Sequence, residues 1–170
     1  MKNWSQPAPL SDEHVHVLDN FDCGEPSLHE WLKKNARKNQ ISGASRCFVI
    51  CEDETVVGYY CLSAGAISHE NSPKSMRRNM PDPLPVLLLG RLAIDKKYHN
   101  QGLGSALLRD AMIRAVNVAG DAGIFAILVH VLSEDAKKYY KSRGFVESPI
   151  QPMTLMMTLR TVQNILTEMP

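Results

Sequence analysis

One segment constrains this chain more than any other. An almost continuously apolar run, Val86 to Asp95, gives way to a short polar turn, and Gly102 and Gly104 then open an amphipathic helix. Such a run reads as a strand covered on both faces. Leu103, Leu107, Ala111 and Ala115 recur at i+4 spacing, so the helix buries one stripe. A covered strand running straight into a packed helix calls for a layered architecture of sheet and helices. Unpaired N–H groups and the helix dipole make a helix start attractive to an anion, and glycine lets backbone approach without a Cβ in the way. The spacing does not suit two familiar phosphate loops: there is no third glycine for G-x-G-x-x-G and no Gly-Lys-Ser/Thr. On spacing alone, a diphosphate site and a tight packing turn both remain open.

The remaining elements follow from period and punctuation. Ser11 with Asp12 and Glu13 predicts a short capped helix to about Leu18. After the turn Phe21–Pro26, Ser27 is expected to cap a second helix whose apolar stripe is Leu28, Trp31, Leu32 and Ala36. Arg46–Cys51 and Thr55–Ser63 read as a hairpin about Asp53-Glu54, and the proline-rich stretch Ser72–Pro85 as loop. Gly120 and Gly123 should end the helix begun at Leu103. A strand at Ile124–Val129, a helix capped by Ser133 and stopped at Gly144, a strand at Thr154–Leu159 and a helix near Thr161–Glu168 complete the pattern. Paired strands followed by strand–helix–strand units predict a mixed α/β (α+β) fold with helices on both faces of a mixed sheet.

At 44% hydrophobic and 22% charged, the composition suits one globular domain over residues 1–170. No apolar run reaches the ~20 residues that span a bilayer, and the stretch Met1–Pro7 lacks a signal-peptide core. A cytoplasmic protein with no membrane partner is expected. Cys23, Cys47, Cys51 and Cys61 form no C-x-x-C pair and read as reduced thiols. His14, His16 and Cys23 lack diagnostic ligand spacing, so no metal is expected. The net charge of +1 argues against a generally basic coat. Two local clusters stand out nonetheless, Lys33, Lys34, Arg37 and Lys38 in one stretch and Lys74, Arg77 and Arg78 in another, and such patches can bind a polyanion.

The string from Arg91 to Ser105 resembles the acetyl-CoA motif of the GNAT acetyltransferases, Arg/Gln-x-x-Gly-x-Gly/Ala, here on His99, Gly102 and Gly104. His99 replaces the usual Arg or Gln, and Asn100 stands where glycine is common. The resemblance implies a GNAT fold, with a central, mainly antiparallel mixed sheet flanked by helices. It also implies acetyl-CoA as cosubstrate. The backbone of Leu92, Ala93 and Ile94 would meet the pantetheine arm, and His99, Asn100, Gln101, Gly102, Leu103, Gly104 and Ser105 would surround the diphosphate. Ser133 and Ala136 would add later contacts. Tyr140, with Gly144-Phe145 after it, falls on the family's Tyr-x-x-x-Gly-Phe motif and would protonate the departing thiolate.

Several further segments resemble the GNAT toxins of bacterial toxin–antitoxin pairs: Phe21-Asp22-Cys23-Gly24, the basic helix after it, Gly58-Tyr59-Tyr60, Leu89–Asp95 and Gln151–Leu155. This implies acetylation of the α-amine of aminoacyl-tRNA, which blocks translation. It also implies a ribbon-helix-helix antitoxin partner, operator DNA bound only through that complex, and a homodimer. The basic residues Lys33, Lys34, Arg37, Arg77, Arg78 and Arg91 would then face tRNA phosphates. Two other readings stay open: a GNAT enzyme acting on a small amine or protein N-terminus, and a non-enzymatic CoA-binding regulator.

Overall fold

The computed structural model describes residues 3–11 and 16–168. The strands are β1 (Ala8–Pro9), β2 (Arg46–Glu52), β3 (Thr55–Ile67), β4 (Leu84–Ile94), β5 (Ala126–His130), β6 (Val146–Glu147) and β7 (Thr154–Thr158). The helices are α1 (Pro26–Ser42), α2 (Lys74–Arg77), α3 (Leu103–Asp121), α4 (Glu134–Ser142) and α5 (Leu159–Glu168). Hydrogen bonding orders the strands β1-β2-β3-β4-β5-β7-β6. β4 and β5 run parallel from Val86↔Ala126 to Leu89↔Val129, while β1-β2, β2-β3, β5-β7 and β6-β7 are antiparallel. The expected mixed, mainly antiparallel sheet is present. No helix among the described residues is long and apolar enough to cross a membrane.

By contacts the chain forms two units, residues 1–63 with 90–111, and residues 64–89 with 112–170. The first is built around the β2–β3 hairpin. Leu32 and Ala36 of α1 are buried with Phe21, Val49 and Tyr59, and Leu28 and Trp31 pack beside them. Cys47, Cys51 and Cys61 are buried free thiols, and burial pushes the Cys51 thiol up to about 11. Gly58 of β3 sits where a Cβ would lie 2.7 Å from Ile94 Cδ1, 3.0 Å from Ile50 Cγ2 and 3.1 Å from Leu107 Cδ1. Only the missing side chain lets the first turns of α3 and the end of β4 pack this closely. Tyr60, fully buried, donates its hydroxyl to Asp110 and ties α3 to the same strand.

In the second unit Ile67, Met76, Leu84, Val86, Ala126, Leu128 and Met156 form the core. α5 lays Leu159 and Val162 against the interior. It starts two residues earlier than the spacing predicts, because the Thr158 hydroxyl accepts from the Thr161 N–H at 3.2 Å and serves as its cap.

Other boundaries also differ from expectation. The helix expected from Ser11 falls largely on residues 12–15, outside those described. Val17 is not helical: it bridges Thr55 in parallel, and its N–H and C=O are taken by Glu54 and Val56. Ser27 does not cap α1. Pro26 fills the first helical turn, where a missing N–H costs nothing, and the Ser27 hydroxyl turns back to Glu25 at 3.1 Å. The stretch expected as loop at 72–85 contains α2 and the start of β4, and Gly120 lies inside α3 rather than ending it. β1 and β6, two residues each, are too short to show a period.

Gly58→Val should place branched carbons against three side chains at once. The expected cost is about 1–3 kcal/mol, read as a lower midpoint in urea unfolding; an unchanged midpoint would show that the contact is slack.

Candidate active site

In the first unit the strand-to-helix loop is organised from below by a carboxylate. Asp95, at the end of β4, is 6% exposed. Its Oδ1 accepts from Lys97 N at 3.0 Å, its Oδ2 accepts from Asp22 N at 3.1 Å, and its own N–H donates to Val57 O at 2.8 Å. Asp22 adds a second fastening. Its carbonyl accepts from Lys96 N and its carboxylate meets Lys96 Nζ, both at 2.8 Å. The Lys96 ammonium, with the Gly24 N–H, holds the Asp22 carboxyl below the usual carboxylate range. Asp95 was not among the expected site residues; an aspartate closing an apolar strand just before a turn was the signal for it.

Above that base, Lys96–Tyr98 make one 3-10 turn. Asn100 and Gly102 take left-handed backbone, φ 61° and 84°, and α3 begins at Leu103. The Ala106 N–H already bonds to Gly102 O at 3.1 Å, so the helical ladder starts there. The N–H groups one turn earlier lie outside the i→i−4 ladder. Nothing lies within 4 Å of where a Gly102 Cβ would be. Leu103 and Leu107 are buried and fix the helix from beneath. The residues therefore fit an anion at this helix start: the backbone is open above and anchored below.

His99 has a different local role from the one the motif implies. Its Nε2 stands 2.7 Å from Ile94 O, so the ring folds back onto the end of β4. Gln101 likewise donates from Nε2 to Lys97 O at 3.4 Å. Both side chains shape the loop.

In the second unit, the Ser133 hydroxyl accepts from Ala136 N at 3.1 Å and caps α4. Glu147 of β6 receives Lys137 at 3.3 Å and Lys141 at 2.9 Å, which fastens α4 to the sheet and holds the Glu147 carboxyl below its ordinary range. Tyr140 faces inward and is 6% exposed. Its ring meets Phe145 and Tyr139 edge-on, at centroid distances of 5.3 and 5.4 Å. Burial, with the neighbouring Tyr139, raises the Tyr140 phenol well above its ordinary value. The group carries its proton at any physiological pH, as an acid must before it acts.

The basic residues divide. Lys33, Lys34 and Arg78 are exposed, with Lys34 paired to Glu30 at 3.8 Å. Arg37 instead donates to the carbonyls of Ser11 and His16, and Arg77 to those of Ser72 (2.8 Å) and Glu70 (3.4 Å). Arg91 lies with its guanidinium carbon 4.1 Å from the ring centroid of Trp31, which in turn stacks on Tyr59. Among the described residues no group of three or more His, Cys, Asp or Glu could hold a metal ion.

Comparison with known proteins bears on the chemistry. The acetyltransferase (GNAT) domain family matches residues 43–147. A tRNA-acetylating toxin of Mycobacterium tuberculosis is 45% identical over 98% of this chain and 99% of its own length. The solved structure of AtaT complexed with acetyl-methionyl-tRNAfMet superposes with a TM-score of 0.88 at 27% identity, covering 96% of this chain and 99% of AtaT. A tyrosine-to-phenylalanine mutant of AtaT, bound to the C-terminus of antitoxin AtaR and to acetyl-CoA, gives 0.83 at 26% identity, covering 97% and 99%.

Gly102→Asp tests the loop directly. The substitution adds a Cβ to left-handed backbone and, more importantly, sets a carboxylate beside the anion site. Acetyl-CoA affinity measured by calorimetry should fall by more than ~10-fold with the fold retained. Unchanged affinity would exclude this loop as the diphosphate site.

Proposed function

The chain belongs to the GNAT acetyltransferase family, and we propose that it transfers the acetyl group of acetyl-CoA to the α-amine of the amino acid on aminoacyl-tRNA, acting as a translation-blocking toxin. The observation that carries the reading is the open helix start at Gly102, at the end of the strand whose Leu92–Ile94 edge would receive the pantetheine arm. The 45% identity to a tRNA-acetylating toxin supports the acceptor.

Acetyl-CoA supplies a thioester. The work left to the protein is to hold the diphosphate on the first-turn N–H groups of α3 and to manage two protons. An α-amine titrates near ~7.7–8.0, so a useful fraction is neutral without a strong base. The leaving sulfur needs a proton, and Tyr140, buried and protonated, would provide it.

Lys33, Lys34, Arg78 and Arg91 would meet tRNA phosphates. Arg37 and Arg77 would contribute mainly by bracing the segments that carry such contacts, given their backbone bonds. In this reading the whole chain acts as one domain, in the cytoplasm and as a homodimer, and a ribbon-helix-helix antitoxin neutralises it.

Acetyl transfer from labelled acetyl-CoA to total charged tRNA is the direct test, with the labelled aminoacyl ester identified afterwards. In that assay Tyr140→Phe should reduce kcat by about 100-fold while acetyl-CoA still binds; wild-type turnover would remove Tyr140 from the mechanism. Arg78→Glu should raise KM for charged tRNA and flatten its salt dependence, with acetyl-CoA affinity unchanged. An unaltered KM would leave Arg78 as ordinary surface.

A further inference from the structure

The second unit contains a pocket of about 240 Å³ that none of the groups above uses. Val86, Leu88 and Leu128 give it an apolar wall, and His130, Gln151 and Thr154 line it with polar groups. It lies on the parallel pair β4–β5, where Leu88 faces Leu128 in register and His130 follows two residues on along β5. His130 is the last residue of β5, and carboxyl ends of parallel strands are where open sheets of this kind receive ligands.

The hydrogen bonds around His130 favour one tautomer of its ring. His130 Nδ1 lies 2.9 Å from Thr154 Oγ1, and Thr154 Oγ1 lies 3.3 Å from Gln151 Oε1. A carbonyl oxygen only accepts, so the single hydroxyl proton of Thr154 points to Gln151. With that proton committed to Gln151, Oγ1 accepts from a protonated His130 Nδ1, the tautomer in which Nε2 keeps its lone pair.

Thr154 cannot easily turn away. It is 4% exposed, pairs with His130 across β5–β7, receives Ser148 N on its carbonyl at 2.8 Å and donates its N–H to Gln151 O at 3.0 Å. Among the described residues, His130 is the only titratable side chain that lines the pocket. Other charged groups of this unit are engaged elsewhere: His69 Nε2 is bonded to Pro81 O at 2.7 Å, Arg77 is bonded to the Ser72 and Glu70 carbonyls, and Glu147 holds Lys137 and Lys141.

We propose that His130 Nε2 is the base that takes the proton from the acceptor amine, which enters this pocket, and that Thr154 and Gln151 are positioning residues holding the ring in the required tautomer. This rests on the acetyl-transfer reading above. The C–N bond forms as the C–S bond breaks. The amine proton passes to Nε2, the sulfur takes the Tyr140 proton, and the imidazolium and tyrosinate then exchange protons with solvent.

His130→Asn tests the role, because its amide can still donate to Thr154 while nothing replaces Nε2. Turnover on charged tRNA near pH 7 should fall by about 100-fold. The deficit should narrow as pH rises, since solvent base then does the work, with thermal midpoint and acetyl-CoA affinity unchanged. An active wild type and a variant with the same rate and pH profile would overturn the proposal. A wild type that acetylates no charged tRNA would overturn the acceptor assignment and the proposal together. One arm needs no activity: ¹⁵N spectra of labelled histidine, with the H130N difference spectrum picking out one ring among six, should show Nδ1 protonated and Nε2 bare. The opposite tautomer would sink the proposal whatever the kinetics.

Discussion

The end of β4 is held by a buried carboxylate, and the geometry of the loop that leads into α3 depends on it. Asp95 would be costly to bury without partners. It satisfies both oxygens with backbone N–H groups, one from Lys97 just ahead in the chain and one from Asp22, 73 residues away in sequence. A charged acceptor makes such bonds stronger than neutral ones. They stop the strand at Ile94, begin the 3-10 turn and tie the loop to the Phe21–Gly24 turn before α1. The left-handed residues Asn100 and Gly102 can hold an open anion site only because the chain on either side is immobilised, by Asp95 before it and by the buried Leu103 and Leu107 after it.

Below the loop, the same precision comes from an absence. Gly58 brings β3 within contact of Ile94, Ile50 and Leu107 together. In the proposed function, a strand edge that meets a pantetheine arm and a helix start that meets a diphosphate must keep a fixed separation. Close packing transmits that constraint better than a flexible side chain would. The fully buried Tyr60 reinforces it through Asp110, from a neighbouring position on β3.

Periodicity made most of this legible. The stripe of α1, the hairpin, the strand feeding α3 and the Ser133 cap of α4 each rest on local patterns of several residues. What local pattern could not reveal were contacts made at a distance. Val17 pairs with the hairpin end instead of continuing a helix, Arg37 and Arg77 spend their guanidiniums on backbone carbonyls, and His99 turns onto Ile94. In each case a side chain whose type suggested a ligand, or a segment whose caps suggested a helix, was claimed by a backbone group needing a partner. The helix start at the glycine pair was readable because its motif is short. The pairing of His130 with Thr154 was not, since Thr154 lies on another strand.

Burial of Tyr140 has a cost as well as a use. A phenol raised above its ordinary value is a weaker acid, and against a thiol of pKa near ~8.5 in water it would be a poor donor. In the proposed reaction, the same desolvation would act on the sulfur. A thiolate released into an apolar site is destabilised, and its proton affinity rises in the same direction as that of the phenol. Donor and leaving group therefore stay closer in proton affinity than either is to its value in water. A hydrogen bond from Tyr140 to the developing anion gains strength where no water competes for it. If Tyr140 is the proposed acid, exposing it would make it a stronger acid in isolation and a poorer donor to the thiolate, because the solvated sulfur would no longer need its proton.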